Sequence, residues 1–232
     1  MIQVIRSDQR YVMEAGWLKA HWHFSFGDYY DPRNIRWGSL RVFNDDYISP
    51  NSGFPMHPHD NMEIVTYVID GELTHRDSLG NLGVIRPGEI QRMTAGTGVV
   101  HSEYNNSPDQ PVHLVQMWVM PNQRGLEPSW EQKRFTQADR QGKLLPVVSG
   151  RPVDGALHMN QDATFYISSL AQGDQVTHKL GEGRHAYLFV IDGEVTLNGE
   201  TLRKADQARI KQEDPLTIKA TAPTELVLWD TI

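Results

Sequence analysis

A short internal repeat is the sequence feature that most constrains the fold. The pentapeptide Val-Ile-Asp-Gly-Glu occupies residues 68–72 and recurs unchanged at residues 190–194, which is 122 positions later. Each copy begins with the last residues of an apolar run and continues into turn residues, a pattern typical of a strand that leads into a hairpin. After the second copy, Asn198-Gly199 is a strong two-residue hairpin motif. We therefore predict that the chain contains a duplicated β-domain.

Short apolar runs separated by turns recur along the chain, for example at residues 40–44, 64–69 and 113–120. Strands this short and regular favour a barrel or sandwich. We expect an all-β chain of two tandem small antiparallel β-barrels, jelly-roll-like, with short helical connections. The polar stretch 121–140 is the expected link, giving an N-terminal domain over 1–130 and a C-terminal domain over 131–232.

Composition excludes several classes of protein. The chain has 232 residues, 39% hydrophobic and 22% charged, which is ordinary for a globular protein. Its formal net charge of −7 argues against a nucleic-acid-binding surface. No cysteine is present, so disulfides and thiol catalysis are excluded and any metal must have nitrogen and oxygen ligands. No apolar run approaches a membrane span or a signal peptide, so a cytoplasmic location is expected.

Two pairs of side chains have the spacing of metal ligands on strands. His57 and His59 form one pair, and His101 and Glu103 form the other. Residues i and i+2 of a strand point to the same face of the sheet. If the two strands face each other across a barrel, three imidazoles and one carboxylate converge. That set suits one divalent transition metal and leaves coordination positions for a substrate.

The surrounding sequence resembles the pirin family, whose members are built from two cupin domains. The motifs that carry the resemblance are His57-Pro58-His59, Thr94-Ala95-Gly96-Thr97-Gly98 and His101-Ser102-Glu103. The likeness runs over residues 11 to 135. It implies a bicupin fold with one metal, held in the first barrel by His57, His59, His101 and Glu103, and a second barrel without metal.

Glu63 leaves an alternative open within the first motif. Strand parity would let Glu63 face inward with His59, and most cupins take a carboxylate from this motif. The other interpretation is a buried, paired carboxylate beside the site. The pirin pattern favours Glu103 as the ligand. A further His-x-His pair, His21 and His23, lies among aromatic residues and is expected to pack rather than bind metal.

The repeat gives a test for a second metal site. A shift of 122 residues carries His57 and His59 onto Lys179 and Gly181. With a hairpin about four residues shorter, His101 and Glu103 fall near Lys219 and Thr221. These four positions do not supply a ligand set. His178 and His185 lie close by without a further pair, so the second barrel is expected to be free of metal.

Bacterial pirins similar to this chain are associated with quercetin 2,3-dioxygenase activity. The resemblance implies that a flavonol binds the metal through its 3-hydroxyl and neighbouring carbonyl, that Glu103 takes the hydroxyl proton, and that dioxygen cleaves the heterocycle with loss of carbon monoxide. Iron(II) is the favoured metal, and nickel, manganese, cobalt, copper and zinc accept the same ligands.

Apolar residues near the ligands are candidates for the pocket wall: Phe54, Met56, Met62, Met93 and Met117. Two other functions remain open. One is a metal-containing regulatory module that acts through protein partners without turnover, and the other is a cupin enzyme with a different small-molecule substrate.

Overall fold

The computed structural model describes all residues from 1 to 232, and its regular structure is almost entirely β. The exceptions are a 3-10 turn at Ser7–Gln9 and one short helix, α1, at Gln137–Arg140. This confirms the predicted all-β class with short helical connections. No helix is long and apolar enough to cross a membrane.

The chain forms 22 strands. The first twelve are β1 (Ile2–Ile5), β2 (Tyr11–Glu14), β3 (Leu18–Trp22), β4 (Leu40–Ile48), β5 (Ser52–His59), β6 (Glu63–Asp70), β7 (Leu73–Asp77), β8 (Leu82–Ile85), β9 (Glu89–Thr94), β10 (Val99–Asn105), β11 (Val112–Val119) and β12 (Ser129–Arg134). The last ten are β13 (Leu145–Ser149), β14 (Leu157–His158), β15 (Ala163–Leu170), β16 (Gln175–His178), β17 (His185–Asp192), β18 (Glu194–Leu197), β19 (Glu200–Arg203), β20 (Gln207–Lys211), β21 (Leu216–Ala220) and β22 (Thr224–Thr231).

These strands belong to two compact units. The N-terminal unit comprises Tyr11–Phe135 with the three residues Met159–Gln161. The C-terminal unit comprises Met1–Arg10, Thr136–His158 and Asp162–Ile232. The polar stretch expected as a link is itself structured, because β12 lies within it and pairs with β9 in the N-terminal unit.

Each unit consists of one seven-stranded and one four-stranded sheet, which do not close into a continuous barrel. The N-terminal orders are β12-β9-β6-β11-β4-β3-β2 and β5-β10-β7-β8. The C-terminal orders are β1-β20-β17-β22-β15-β13-β14 and β16-β21-β18-β19. The two sets correspond at all positions but the last, where β2 runs antiparallel to β3 and β14 runs parallel to β13. This correspondence confirms the predicted tandem duplication. In the second set, β1 occupies the edge position that β12 occupies in the first.

The repeated pentapeptide lies where the chain crosses from one sheet to the other in both units. β6 and β7 lie in different sheets, so the chain crosses between sheets there, and the predicted hairpin at this point is wrong. Gly71 has φ of +78°, and a Cβ on it would lie 2.6 Å from the Pro111 carbonyl oxygen. Gly193 has φ of +89° and approaches Pro223 in the same way. Only glycine combines this backbone conformation with so close an approach.

The hairpin predicted at Asn198-Gly199 is confirmed. It joins β18 to β19, and both residues have positive φ, +46° and +95°. That combination is required by a two-residue turn whose twist matches the strands.

Candidate metal centre

The two predicted ligand pairs lie on neighbouring strands of one sheet. β5 and β10 are antiparallel partners, and His57 stands directly opposite His101. The expectation that the two strands face each other across a barrel is therefore wrong. Adjacent strands bring the pairs together equally well, because directly opposed side chains are only about 5 Å apart.

The pleat of β10 turns its ligands inward. Burial alternates strictly along this strand, so that His101 and Glu103 are buried while Val100 and Tyr104 are exposed. β5 keeps the same alternation at its end, but a register shift opposite residues 101–103 brings Phe54, rather than Pro55, across from Glu103. The irregularity leaves Phe54 on the same side as the histidines.

Three imidazoles meet at the inner face of this sheet. The Nε2 atoms of His57 and His101 are 3.0 Å apart. The ring of His59 lies with its centroid 4.8 Å from both of the other rings. At the outer side of His57, Nδ1 is 2.7 Å from the Pro55 carbonyl oxygen and can only donate to it. This contact leaves a free lone pair on the inward-facing Nε2.

The electrostatics of the cluster favour neutral imidazoles. Burial, with the nearby His101 and His57, lowers the pKa of His59 to about 4. Burial, with His57 and His75, lowers the pKa of His101 to about 3. Neutral imidazole is the form that binds a metal ion.

Glu103 is held by a short chain of hydrogen bonds. The side-chain Nε2 of Gln116 donates to both carboxylate oxygens of Glu103, at 3.0 and 2.8 Å. The indole Nε1 of Trp118 donates to Oε1 of Gln116 at 3.1 Å. Because the indole can only donate, it fixes which end of the Gln116 amide faces Glu103.

A second buried pair, which the sequence analysis missed, supports His101 from behind. On β7, His75 is completely buried, with Nδ1 at 3.4 Å from Nδ1 of His101 and Nε2 at 3.0 Å from Oδ2 of Asp77. Burial opposes ionisation of Asp77, but hydrogen bonds from Asn81 and His75 hold its pKa below the ordinary value. The ionised carboxylate accepts from His75 Nε2–H. His75 Nδ1 can then accept from His101 Nδ1–H, which leaves His101 Nε2 as a ligand atom.

Glu63 lies in a different network. Its Oε2 accepts from the Thr94 hydroxyl at 3.0 Å and from the Asn160 amide N–H at 3.2 Å. Burial raises the pKa of Glu63 despite these hydrogen bonds. The structure does not bring it into the histidine cluster.

His21 and His23, which were expected to pack rather than bind metal, also lie apart from the cluster. His23 stacks on Phe43 with ring centroids 4.8 Å apart, and His21 lies beside Asp45.

A cavity of about 130 Å³ opens from the ligand cluster. Its walls combine aromatic rings, metal-ligating groups and polar side chains: Phe26, Asn44, Asp46, Phe54, His57, His59, Glu103, Gln116 and Trp118. Of the five apolar residues proposed for the wall, Phe54 alone lines it. Met56 points outward and is half exposed, and Met93 and Met117 are core residues.

The C-terminal unit has an apolar interior at the corresponding place. Its equivalent strands, β16 and β21, turn Val176, Leu216 and Ile218 inward. Lys219, which was predicted to lie near the equivalent of His101, is exposed. The predicted alignment of the two units was therefore wrong in register at this strand. His178 hydrogen-bonds Asp230, at 2.8 Å.

The donor set of the N-terminal unit fits one divalent metal. Its ligand atoms fall into two overlapping groups that share His101, and within each group the atoms lie within 4.8 Å of one another. One group is His57, His59 and His101, and the other is His75, His101 and Glu103. Imidazole nitrogens and a carboxylate oxygen are typical ligands of first-row transition metals.

Duplicated sheet pairs with a histidine and glutamate cluster in one copy define a bicupin. Comparison with known proteins agrees, because residues 5–119 match the family described as Pirin and residues 146–231 match the Quercetinase C-terminal cupin domain. A Caulobacter vibrioides pirin-like protein is 48% identical over 94% of each chain. The quercetin 2,3-dioxygenase of Escherichia coli K12 is 41% identical over 99% of this chain and 98% of its own. The chain belongs to the pirin family.

Solved structures show the same fold. The crystal structure of YhhW from Escherichia coli has a TM-score of 0.96 and 38% identity, and covers 100% of this chain and 98% of that one. A second structure, described as bacterial pirin YhhW in complex with nickel(II), has a TM-score of 0.95 and 39% identity, over 100% and 99% of the two chains.

Proposed function

We propose that this chain is a metal-dependent dioxygenase of the pirin type that cleaves flavonols such as quercetin with O2. The observation that carries the proposal is the position of the ligand cluster, which opens into a cavity walled by Phe26, Phe54 and Trp118. Such a site offers a metal position beside an aromatic slot. The relative named quercetin 2,3-dioxygenase, which matches over nearly the whole length of both chains, supports the same substrate class.

Four side chains would hold the metal: His57, His59, His101 and Glu103. Iron(II) is our first expectation, and nickel gains support from the nickel(II) complex of YhhW. When bound, the ion supplies a Lewis acid and a redox centre for dioxygen chemistry.

Glu103 has a second role as the proton acceptor. It lines the cavity, and Gln116 directs its carboxylate by donating to both oxygens. A carboxylate oxygen of Glu103 would take the proton of the flavonol 3-hydroxyl, because no other carboxylate in the cavity belongs to the ligand set.

The aromatic wall prepares the slot for a planar ring. Phe26 packs edge-on against Trp118 with ring centroids 5.2 Å apart, and Trp118 contacts His59 at 4.8 Å. These contacts hold the rings in place before a substrate enters.

The test is quercetin consumption in air and under nitrogen, normalised to bound metal. Wild-type protein should turn over only in air. Glu103→Gln keeps the size of the side chain but loses its charge and basicity, so the rate per bound metal should fall by roughly two to four orders of magnitude. Glu63→Gln is the matched control, since Glu63 is buried in the same unit but lies outside the cluster.

Absent turnover, or turnover that is equally fast under nitrogen, would overturn the dioxygenase proposal. The metal-containing binding module without turnover would then take its place. If turnover needs oxygen but Glu103→Gln matches wild type per metal, the reaction class stands and the base is wrongly assigned.

A further inference from the structure

Three consecutive polar residues lie buried in the middle of β4: Asn44, Asp45 and Asp46. This strand is in the interior of the seven-stranded sheet, between β11 and β3. Polar groups are seldom placed there unless they are paired, because burial removes their contacts with water. Each of the three side chains is therefore expected to have a hydrogen-bond partner.

Asp45 has its partner, and the other two residues each retain an unpaired atom. On one face of the sheet, Oδ1 of Asp45 is 2.7 Å from Nε2 of His113. Asn44 and Asp46 share the opposite face, where both line the cavity beside the ligand cluster. Oδ1 of Asn44 and Oδ1 of Asp46 are buried and accept no hydrogen bond.

The polar side chain opposite Asn44, that of Gln116, does not hydrogen-bond either oxygen. Gln116 pairs with Asn44 across the β4–β11 ladder. However, the amide of Gln116 is committed to Glu103 through its nitrogen and to Trp118 through its oxygen. The two oxygens therefore have no protein partner, and the side chains that carry them line the cavity.

The geometry points to a subsite for a hydroxyl-bearing aromatic ring, in which Asn44 and Asp46 bind hydroxyl groups of the substrate. This inference rests on the proposed function and specifies which part of the substrate the protein recognises. A hydroxyl group both donates and accepts, so it can pair with an amide and with a carboxyl group in either protonation state.

The size of the cavity limits what can enter. An engineered apolar cavity of about 150 Å³ accommodates benzene, and this cavity is about 130 Å³. It therefore encloses a single ring, with the rest of a flavonol outside. The ring would lie against Phe54 and Trp118 and direct its hydroxyl groups toward β4.

The experiment compares two ligands that both carry the 3-hydroxyl and 4-carbonyl groups. Quercetin has further hydroxyl groups on its rings and 3-hydroxyflavone has none. Binding to the metal-containing protein is followed under nitrogen by the change in flavonol absorbance, so that no turnover is needed. Wild-type protein should prefer quercetin by roughly tenfold, as a site built to hydrogen-bond a hydroxyl discriminates against a ligand that lacks it.

Variants assign the preference to the subsite. Asn44→Leu and Asp46→Leu keep side-chain size but remove the polar atoms, and each should reduce the preference to within about threefold. Asp46→Ala should have the same effect and avoids any clash, and Asp46→Asn should retain the preference. Gln91→Leu is the matched control, because both polar atoms of the buried Gln91 side chain are unpaired but lie outside the cavity.

Each outcome decides between the two proposals. Leucine and alanine variants that keep the wild-type preference would overturn the subsite, as would a wild type that binds both flavonols equally. If the preference is present but quercetin is not consumed in air, the subsite stands and the dioxygenase function fails. A wild type that binds neither flavonol overturns both.

Discussion

Replacing His75 with phenylalanine should weaken metal binding even though His75 is outside the proposed ligand set. Phenylalanine retains a ring to stack on Trp130, whose centroid lies 5.6 Å from that of His75. It removes both ring nitrogens and so breaks the hydrogen-bonded chain from Asp77 through His75 to His101. Without that chain, Nδ1 of His101 loses its acceptor, and the imidazole loses the bond that fixes its tautomer and orientation.

The expected size of the effect follows from the contact distances. Loss of an outer hydrogen bond to a metal-ligating histidine costs roughly 10- to 100-fold in metal affinity. At 3.4 Å, the His75–His101 contact is at the long limit of a hydrogen bond. We therefore expect the lower end of the range, roughly tenfold, which corresponds to about 1.4 kcal/mol.

Affinity would be measured by competition with a chelator for nickel(II), starting from metal-free protein. His178→Phe is the matched control, since His178 also bonds a buried carboxylate, that of Asp230, and contacts a ring, that of Tyr166. It should leave nickel affinity unchanged. Asp77→Asn should weaken affinity in the same direction as His75→Phe, because an amide no longer imposes one tautomer on His75.

Equal affinity in wild type and His75→Phe, within about threefold, would refute the positioning role. So would an equal loss in His178→Phe, because the effect would then come from general destabilisation.

Three other outcomes follow from the structure. His57→Ala and His101→Ala should each lose most of the metal measured by elemental analysis, whereas Glu63→Gln should retain it but lower the free energy of unfolding by about 1–3 kcal/mol. Gly71→Ala should lower the melting temperature, since the new Cβ would meet the Pro111 carbonyl oxygen at 2.6 Å. Deletion of residues 1–10 should destabilise the C-terminal unit, measurable by hydrogen exchange in β20, which loses its strand partner β1.

The site could be located from the sequence because strand parity is a local rule. His57 and His59, like His101 and Glu103, are two residues apart, and the pleat alone puts each pair on one face. Parity does not say which strands are neighbours, so the two pairs were expected across a barrel and are found side by side. Parity also does not fix the register of a distant strand. Lys219 was predicted to occupy the place of His101 in the second unit, but it is exposed. A shift of one residue exchanges the inner and outer faces of a strand.

Other parts of the site depend on contacts between distant residues. His75 and Asp77 also have the i, i+2 spacing, so the pattern was present, but their role depends on β7 pairing with β10. Asn44 and Asp46 interrupt an apolar strand, and only the cavity shows why. Glu63 receives its N–H donor from Asn160, which is 97 positions away.

The position of β1 has a consequence for the synthesis of the chain. Its partner, β20, begins at Gln207, about 200 residues after β1 ends at Ile5. At about 5–20 residues per second, roughly 10–40 seconds pass between the appearance of the two strands. During that interval Tyr11–Phe135 can leave the ribosome and fold, while the segment Ile2–Ile5 has no strand partner. The β1–β20 pairing therefore cannot form until Gln207–Lys211 has been made, which leaves Ile2–Ile5 open to chaperones or to mispairing during that interval.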